Sequence, residues 1–564
     1  MFEGAIRKYS CFALDYSFFR EFSGMSYFRD LFTRVSDGSC EVYVGRDFKL
    51  LHHCVTHQAA DKDAPVSSAL RDFFGVLINL KRIHEISAVT SREFLNEISK
   101  IDDICLITTR TGILFKRMFD QKLKLDKPII LVSKTDVEVF ANSDECYRNV
   151  SEIKISPLAS KTGYLDAHVF CNVGDVVQTA GQKNITLASR ISNGAEGMIF
   201  KTNDPRIVAK IYHRGVITPL RWSKLTRMAA LGINTVEICW PLDLLFYHGV
   251  PVGYTMRFGK GSTLSNIFDG PDAITNAFPD WKRIDIVETL LILLEKYLYL
   301  HMHDIVIGDI QLKNVLLYSS ASCYLIDMDS IQVGNLPCPV GTEEFTPPEL
   351  WGRNFSDFLR TLKMEDYCIA MLVFSVLFCG LHPYARRNGK DTLREEILER
   401  NFPYKLDNSN TEEIPVGGYN FIWEYLPDNI RRMLYDVFAL GISHEAIEWY
   451  SVIVEYKEKL VARRFEDPEA YKVFPKMDYK PTTSEVSQNV KNINNNSFKS
   501  RLASATGTNP FAAVANNNMP DPSLVATNKS FYAARAKKEE EPAPTGSDEG
   551  KAKGGLFSRF GKRK

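Results

Sequence analysis

The chain has 564 residues, too many for a single ordinary core, so two or three domains are expected. Hydrophobic residues make up 45% and charged residues 24%, as in a soluble globular protein. The 69 basic residues are balanced by 69 acidic ones, which excludes a global attraction to nucleic acid or to an anionic membrane and leaves only local patches. The eleven cysteines are scattered singly without a C-x-x-C pair, which fits reduced thiols in a cytoplasm. The N-terminus, Met1-Phe2-Glu3-Gly4-Ala5, lacks the basic and long apolar regions of a signal peptide. The most apolar run, 368–381, falls short of the roughly twenty residues that span a bilayer and reads as a buried helix.

Within residues 1–172, two continuous apolar runs, 104–109 and 128–132, have the character of strands buried on both faces. The intervening 112–119 reads as a helix, so a β–α–β unit in a small α/β domain is expected. This portion weakly resembles the late strand–helix–strand of PIN-like nucleases. Arg110 and Thr111 stand where those enzymes carry a metal-binding Asp, so a regulatory or binding role is expected rather than cleavage. His52, His53, Cys54 and His57 cluster locally, and His53 and His57 would share one helix face. No second ligand pair with finger-like spacing follows, so the cluster reads either as part of a metal site or as an ordinary helix segment.

From about residue 174, short β-type runs alternate with Gly, Asn and Asp-Pro turn signals, as in an antiparallel sheet. At one turn lies Ser192-Asn193-Gly194-Ala195-Glu196-Gly197-Met198-Ile199-Phe200. Small residues there let backbone N–H groups approach phosphate oxygens, although such a loop can equally be a plain hairpin. Thirteen residues after Gly197 comes Lys210, in Val208-Ala209-Lys210-Ile211, placed to reach phosphates from a strand or simply to be solvated. Beyond 270 the pattern turns helical, and 284–300 is apolar on most faces, as in a buried helix.

Two further stretches have the spacing of a phosphoryl-transfer site. Gly308-Asp309-Ile310-Gln311-Leu312-Lys313-Asn314 places an Asn five residues after an Asp, and Ile326-Asp327-Met328-Asp329-Ser330 adds a carboxylate thirteen residues later. Past 477 the composition becomes rich in Ser, Asn, Ala, Pro and charge, and a disordered tail is expected over 477–564. Its basic end, 551–564, reads as a docking peptide for a membrane surface or an acidic partner, or as a solvated terminus.

Together, the glycine loop, V-A-K-I-Y-H at 208–213, W-P-L-D at 240–243, G-D-x-x-x-x-N and D-x-D-S resemble the protein kinase superfamily. More closely, they look like bacterial kinase-like proteins fused to helix-hairpin-helix modules or encoded with tellurium-resistance and stress genes. The resemblance implies an α+β, two-lobed kinase-like fold over 173–462, with a small lobe at 173–260 and a large lobe at 261–462. An α/β domain would precede it and the tail would follow. The implied activity is ATP- and Mg²⁺-dependent Ser/Thr protein phosphorylation in the cytoplasm, with no clear nucleic-acid binding and an unknown protein substrate. The alternative is an ATP-binding pseudokinase scaffold.

By the same resemblance, Asp309, Lys210 and Asn314 would be catalytic, and Asn314 and Asp327 would hold the metal. Ser192, Gly194, Gly197, Ile199, Ala209, Lys210, Met256 and Phe258 would line the nucleotide site, with 253–259 as its hinge. Gly341-Thr342-Glu343-Glu344-Phe345-Thr346-Pro347-Pro348-Glu349 would seat a substrate peptide, making Thr342, Pro348 and Glu349 part of that seat. Asp366 would tie the following helix to the catalytic loop. Several departures bear on these roles. The helix expected at 219–231 has no Glu to pair with Lys210, Gly308 replaces an Arg, and Gln311 replaces a Lys. Asp329 replaces a Gly, and Ser443 and His444 stand where an Arg would meet Glu349.

Overall fold

Apolar, β-branched runs without alternation make strands covered on both faces. Strand β4 (Ile104–Thr109) is such a run, buried at every position. In the computed structural model it lies inside a six-stranded sheet with β1 (Cys11–Leu14), β2 (Glu41–Gly45), β3 (Ile83–Ile86), β5 (Ile129–Val132) and β6 (Val137–Phe140). The order is β3-β2-β1-β4-β5-β6, parallel throughout except for the last pair. Helix α1 (Arg46–Gln58) follows β2, and α2 (Ile113–Gln121) joins β4 to β5, forming the expected β–α–β unit. The structure describes residues 2–22, 26–58, 82–165, 170–233, 235, 237–390, 392–407 and 412–476, all within one compact unit. The tail expected at 477–564, with its basic end, lies outside the described residues.

A second sheet, antiparallel throughout, holds β7 (Val176–Thr179), β8 (Asn184–Thr186), β9 (Ser189–Asn193), β10 (Gly197–Lys201), β11 (Ile207–Tyr212), β12 (Asp243–Tyr247) and β13 (Val250–Arg257). Its order is β8-β7-β12-β13-β11-β10-β9. Side chains alternate across it as strand geometry requires. Val208 and Tyr212 join one cluster, with Tyr254 and Met256, while Ala209 and Ile211 join another, with Phe200 and Val252. The hinge expected at 253–259 is mostly strand, since Gly253 to Arg257 pair with β11 and only Phe258 and Gly259 follow. Close approach explains Gly253, whose side chain, if it had one, would meet the Lys210 carbonyl.

Helix α3 (Pro219–Leu231), capped by Thr218, follows β11. The longest helix, α4 (Arg283–Met302), is buried on most faces and packs against α1, α5 (Leu362–Leu377) and α6 (Ala446–Val461). The apolar run near 368 thus forms a core helix, and no helix among the described residues is long and apolar enough to cross a membrane.

The N-terminal sheet is fastened to this helical part by charge as well as by packing. Arg117 of α2 forks onto both Asp366 oxygens at 2.7 Å and lies 3.0 Å from Glu445. The side chains of Arg117 and Asp366 are each 2% exposed. Ser91 donates its N–H and hydroxyl to Glu445, each at 3.0 Å. Burial alone would lower the Arg117 pKa, but the surrounding carboxylates hold it above the ordinary arginine value.

Replacing Arg117 by Met would strand two carboxylates and is expected to cost about 3–5 kcal/mol in urea unfolding. Arg117→Lys, which keeps charge without the fork, should lose less. Nearby, burial pushes the Asp47 carboxyl up to about 8, helped by Asp15 and Glu445. It is therefore protonated in the folded state at pH values where the unfolded chain has already released that proton, so it opposes folding increasingly as pH rises from about 4 to 8. Asp47→Asn should match the parent near pH 4 and exceed it in melting temperature at pH 8.

Candidate functional site

Lys210 projects from β11 on the face shared with Val208, and its side chain is 8% exposed. A lone ammonium so placed would carry a heavy desolvation penalty. Its Nζ meets Asp329 Oδ1 at 2.8 Å and Asp327 Oδ1 at 3.4 Å. Burial pulls the Lys210 pKa down, and the Asp329 and Asp327 charges more than offset this, leaving it raised. Asp329 is itself buried, and its second oxygen accepts the Tyr212 hydroxyl. Burial would raise its pKa, but Lys210, Tyr212 and Arg221 hold it well below the usual carboxylate range.

Helix α3 has no acid, and Lys210 is met instead by the second Asp of D-x-D. On α3, Arg221 Nη2 meets Glu196 Oε1 of the glycine loop at 2.6 Å. Deeper along α3, the Lys224 ammonium donates to the carbonyls of Ser330 at 3.1 Å and Pro337 at 2.6 Å, and burial pushes its pKa down to about 8.

The loop bearing Asp309 and Asn314 lies between strands of two small sheets, β15 (Ile305–Val306) with β18 (Gln332–Val333), and β14 (Ser262–Thr263) with β16 (Val315–Ser319) and β17 (Ser322–Leu325). Asp309 is held by donors on both oxygens. Thr342 gives its N–H at 3.0 Å and its hydroxyl at 2.9 Å to Oδ1, while Gln311 at 2.7 Å and Asn314 at 3.2 Å approach Oδ2. The Asn314 amide also donates to the Asp309 carbonyl at 3.0 Å, which turns its side-chain oxygen away. Ile326 N–H donates to the Asn314 carbonyl at 2.9 Å, bringing Asp327 next to Asn314. Asp327 adopts a left-handed backbone, φ 55°, with its side chain 58% exposed.

Gly308 answers a geometric need. Its φ is +75°, and an added Cβ would fall 2.2 Å from Arg360 Nη1. Arg360 Nη1 donates to the Gly308 carbonyl, and the Glu365 carboxylate accepts the N–H groups of Ile307 at 3.1 Å and Gly308 at 2.8 Å. Glu365 also meets His301 Nε2 at 2.7 Å. The tie expected from Asp366 is thus made by its neighbour. One residue along a helix turns the side chain by about a quarter turn, so Asp366 faces Arg117 instead.

One other expectation is corrected by geometry. Ala209 points to the opposite face of β11 from Lys210, because strand neighbours alternate. The apolar surface beside Lys210 comes from Ile199, Val208, Met256, Leu316, Cys239 and Tyr324. Gly197 is required where β10 meets β11, since a Cβ there would lie 2.5 Å from the Ile211 carbonyl, whereas the same test at Gly194 finds nothing closer than 3.6 Å. Ser192 pairs with Ile199 in the hairpin, and Phe258 N–H donates to the Arg206 carbonyl at 2.9 Å. Thr342 reaches Asp309, whereas Pro348 and Glu349 sit in a separate short turn, Pro348–Leu350. His444 meets Asp436 at 3.1 Å and Glu448 at 3.2 Å.

No protein-family model matches the chain. It is 29% identical over 247 residues to protein kinase YegI of Escherichia coli O157:H7, covering 41% of this chain and 38% of that protein. To protein kinase YegI of Escherichia coli strain K12 it is 29% identical over 277 residues, covering 45% and 41%. The chain is kinase-like over this stretch. It spans about two-fifths of the length of these curated relatives. Among solved structures, the ROP18 kinase domain in complex with AMP-PNP and sucrose aligns with a TM-score of 0.36 at 12% identity, over 52% of this chain and 86% of that one.

The Lys210 contacts carry a stability consequence. Lys210→Met leaves Asp329 buried without its cation and should cost about 3–5 kcal/mol in denaturant unfolding. Asp329→Asn, which leaves Lys210 beside Asp327, should cost less, and the double variant should recover part of the Lys210→Met loss. Strict additivity of the two single changes would show that the pair is not coupled.

Proposed function

We propose that the chain is an ATP- and Mg²⁺-dependent protein kinase acting on Ser or Thr hydroxyls. What supports this reading is the convergence of three segments: Lys210 meets Asp327, Asn314 meets Asp309, and the N–H of Ile326, the residue before Asp327, donates to the Asn314 carbonyl. A phosphoryl-transfer site needs these parts adjacent: a cation for phosphate oxygens, hard oxygen donors for a divalent metal, and a carboxylate beside the acceptor hydroxyl.

In this proposal Lys210 neutralises phosphate charge, and Ile199, Val208, Met256 and Leu316 offer an apolar surface to the base, with Ser192, Gly194 and Gly197 in the loop above and Phe258 at the hinge. The exposed Asp327 carboxylate and the outward Asn314 side-chain oxygen suit Mg²⁺, which would screen phosphate charge. Asp309 orients the acceptor hydroxyl. As the bond between the γ-phosphorus and its bridging oxygen breaks and a new P–O bond forms to the acceptor, Asp309 takes the hydroxyl proton. Thr342, held on Asp309, places the start of the peptide seat that continues to Pro348 and Glu349.

The division at about 172/173, the two-lobed arrangement over 173–462, a cytoplasmic location and a role in stress signalling belong to the same proposal. The relatives named as protein kinases support the activity over the matched stretch only.

A second reading rests on α3, which offers Lys210 no acid. With Lys210 paired to the D-x-D turn instead, the chain would be an ATP-binding scaffold. Purified protein with labelled ATP and Mg²⁺ separates the two. A kinase should transfer label to itself or to an added protein, and Asp309→Ala should lower the rate about 10²–10⁴-fold. Asp327→Ala should abolish transfer. Tight ATP binding without transfer to any protein offered would favour the scaffold.

A further inference from the structure

The histidine cluster read from the sequence divides in the structure. His52 Nδ1 faces the Tyr16 hydroxyl at 3.5 Å, and Cys54 is fully buried, with its thiol pKa pushed far up by burial. His53 and His57, one turn apart on α1, instead turn their rings side by side, with centroids 5.5 Å apart. Both face Glu295, which comes from α4, more than two hundred residues later in the chain. His53 Nε2 is 3.5 Å from Glu295 Oε1, and His57 Nδ1 contacts Oε2. The three ligand atoms lie within 4.8 Å of one another.

Glu295 is built into place. Its side chain is 6% exposed, the Tyr450 hydroxyl donates to Oε1 at 2.9 Å, and Gln58 Nε2 donates to Oε2 at 3.2 Å. Such outer hydrogen bonds fix a carboxylate's orientation, as they do for metal-bound carboxylates in general. The imidazoles are half exposed, 42% for His53 and 51% for His57, so solvent reaches the far side of the group. Two imidazole nitrogens and one carboxylate oxygen, with an open position for water, form a donor set suited to zinc.

We propose that His53, His57 and Glu295 bind one zinc ion, with water completing its coordination, and that this ion fastens α1 of the N-terminal sheet to α4. The site shares no residue with the group of Lys210, Asp309 and Asp327, and it stands whether or not the chain transfers phosphate. Nothing in it calls for a reaction at the metal, so the ion acts as a fastening between two elements already in contact.

The test uses the full chain, stripped with chelator and then dialysed against micromolar zinc. Elemental analysis should find about one equivalent per chain, and zinc should raise the melting temperature. Cobalt(II) in its place should give visible absorption bands of tetrahedral or five-coordinate geometry. His53→Gln and His57→Gln should each lose the bound equivalent and the zinc-dependent rise while still melting cooperatively. A parent chain that holds no zinc and whose melting temperature does not respond to it would overturn the proposal. So would full retention of zinc in both folded variants, which would place the ion elsewhere. Should a variant fail to fold, the cobalt spectrum of the parent decides, because bands without imidazole ligation would equally exclude this site.

Discussion

An ammonium shared between two carboxylates, out of reach of bulk water, is the constraint on which the site depends. Withdrawing the Lys210 and Asp329 charges from solvent costs several kcal/mol each, and the arrangement is stable only because they meet at hydrogen-bonding distance, with the exposed Asp327 beside them. Lys210 satisfies Asp329 and leans toward Asp327, while Asp329 uses its other oxygen on Tyr212. These contacts join strand β11 to the turn that carries the exposed Asp327. Arg221 then has no role as a partner of Lys210 and serves the glycine loop through Glu196. Helix α3, which has no acid, thus leaves Lys210 to the D-x-D turn and gives its own cation to the glycine loop.

The loop bearing Asp309 is held on different terms. Its carboxylate has donors on both oxygens from Thr342, Gln311 and Asn314, and its backbone is gripped from behind by Glu365 and Arg360. The left-handed conformation at Gly308 lets Arg360 come close to the carbonyl that a bulkier residue would shield. Gln311, Asn314 and Thr342, its side-chain donors, are all neutral, so the hydrogen bonds around Asp309 are made by dipoles.

Much of this was legible in the sequence because it follows from period and spacing. Continuous apolar runs marked β4 and β5, and the glycine loop and V-A-K-I marked β10 and β11. The spacing of Asp309, Asn314 and Asp327 marked two carboxylates and a carboxamide on the loops that the fold brings together. The misreadings come from direction rather than composition. Alignment of V-A-K with a motif placed Ala209 at the site, whereas strand parity selects Val208. A Glu-Asp pair at a helix start does not say which member faces inward, and Glu365 does. The partner of Lys210 was visible as an oddity, Asp329, but a one-dimensional reading looked for it on α3. Glu295 carried no local signal at all, being the last of three acids in a mostly apolar helix, and only the packing of α1 on α4 brings it to the histidines.

The adjacency of Glu365 and Asp366 has a consequence for where this molecule can be divided. One carboxylate grips the backbone of Ile307 and Gly308, and the next is gripped by Arg117 from the N-terminal sheet. The first turn of α5 is thus a shared footing, bearing the loop of Asp309 on one side and residues before 172 on the other. A boundary near 172 separates two sheets in topology, yet it cuts through a single electrostatic unit. A chain begun after that point would keep Lys210, Asp309, Asn314 and Asp327 and lose Arg117, the counter-charge of Asp366.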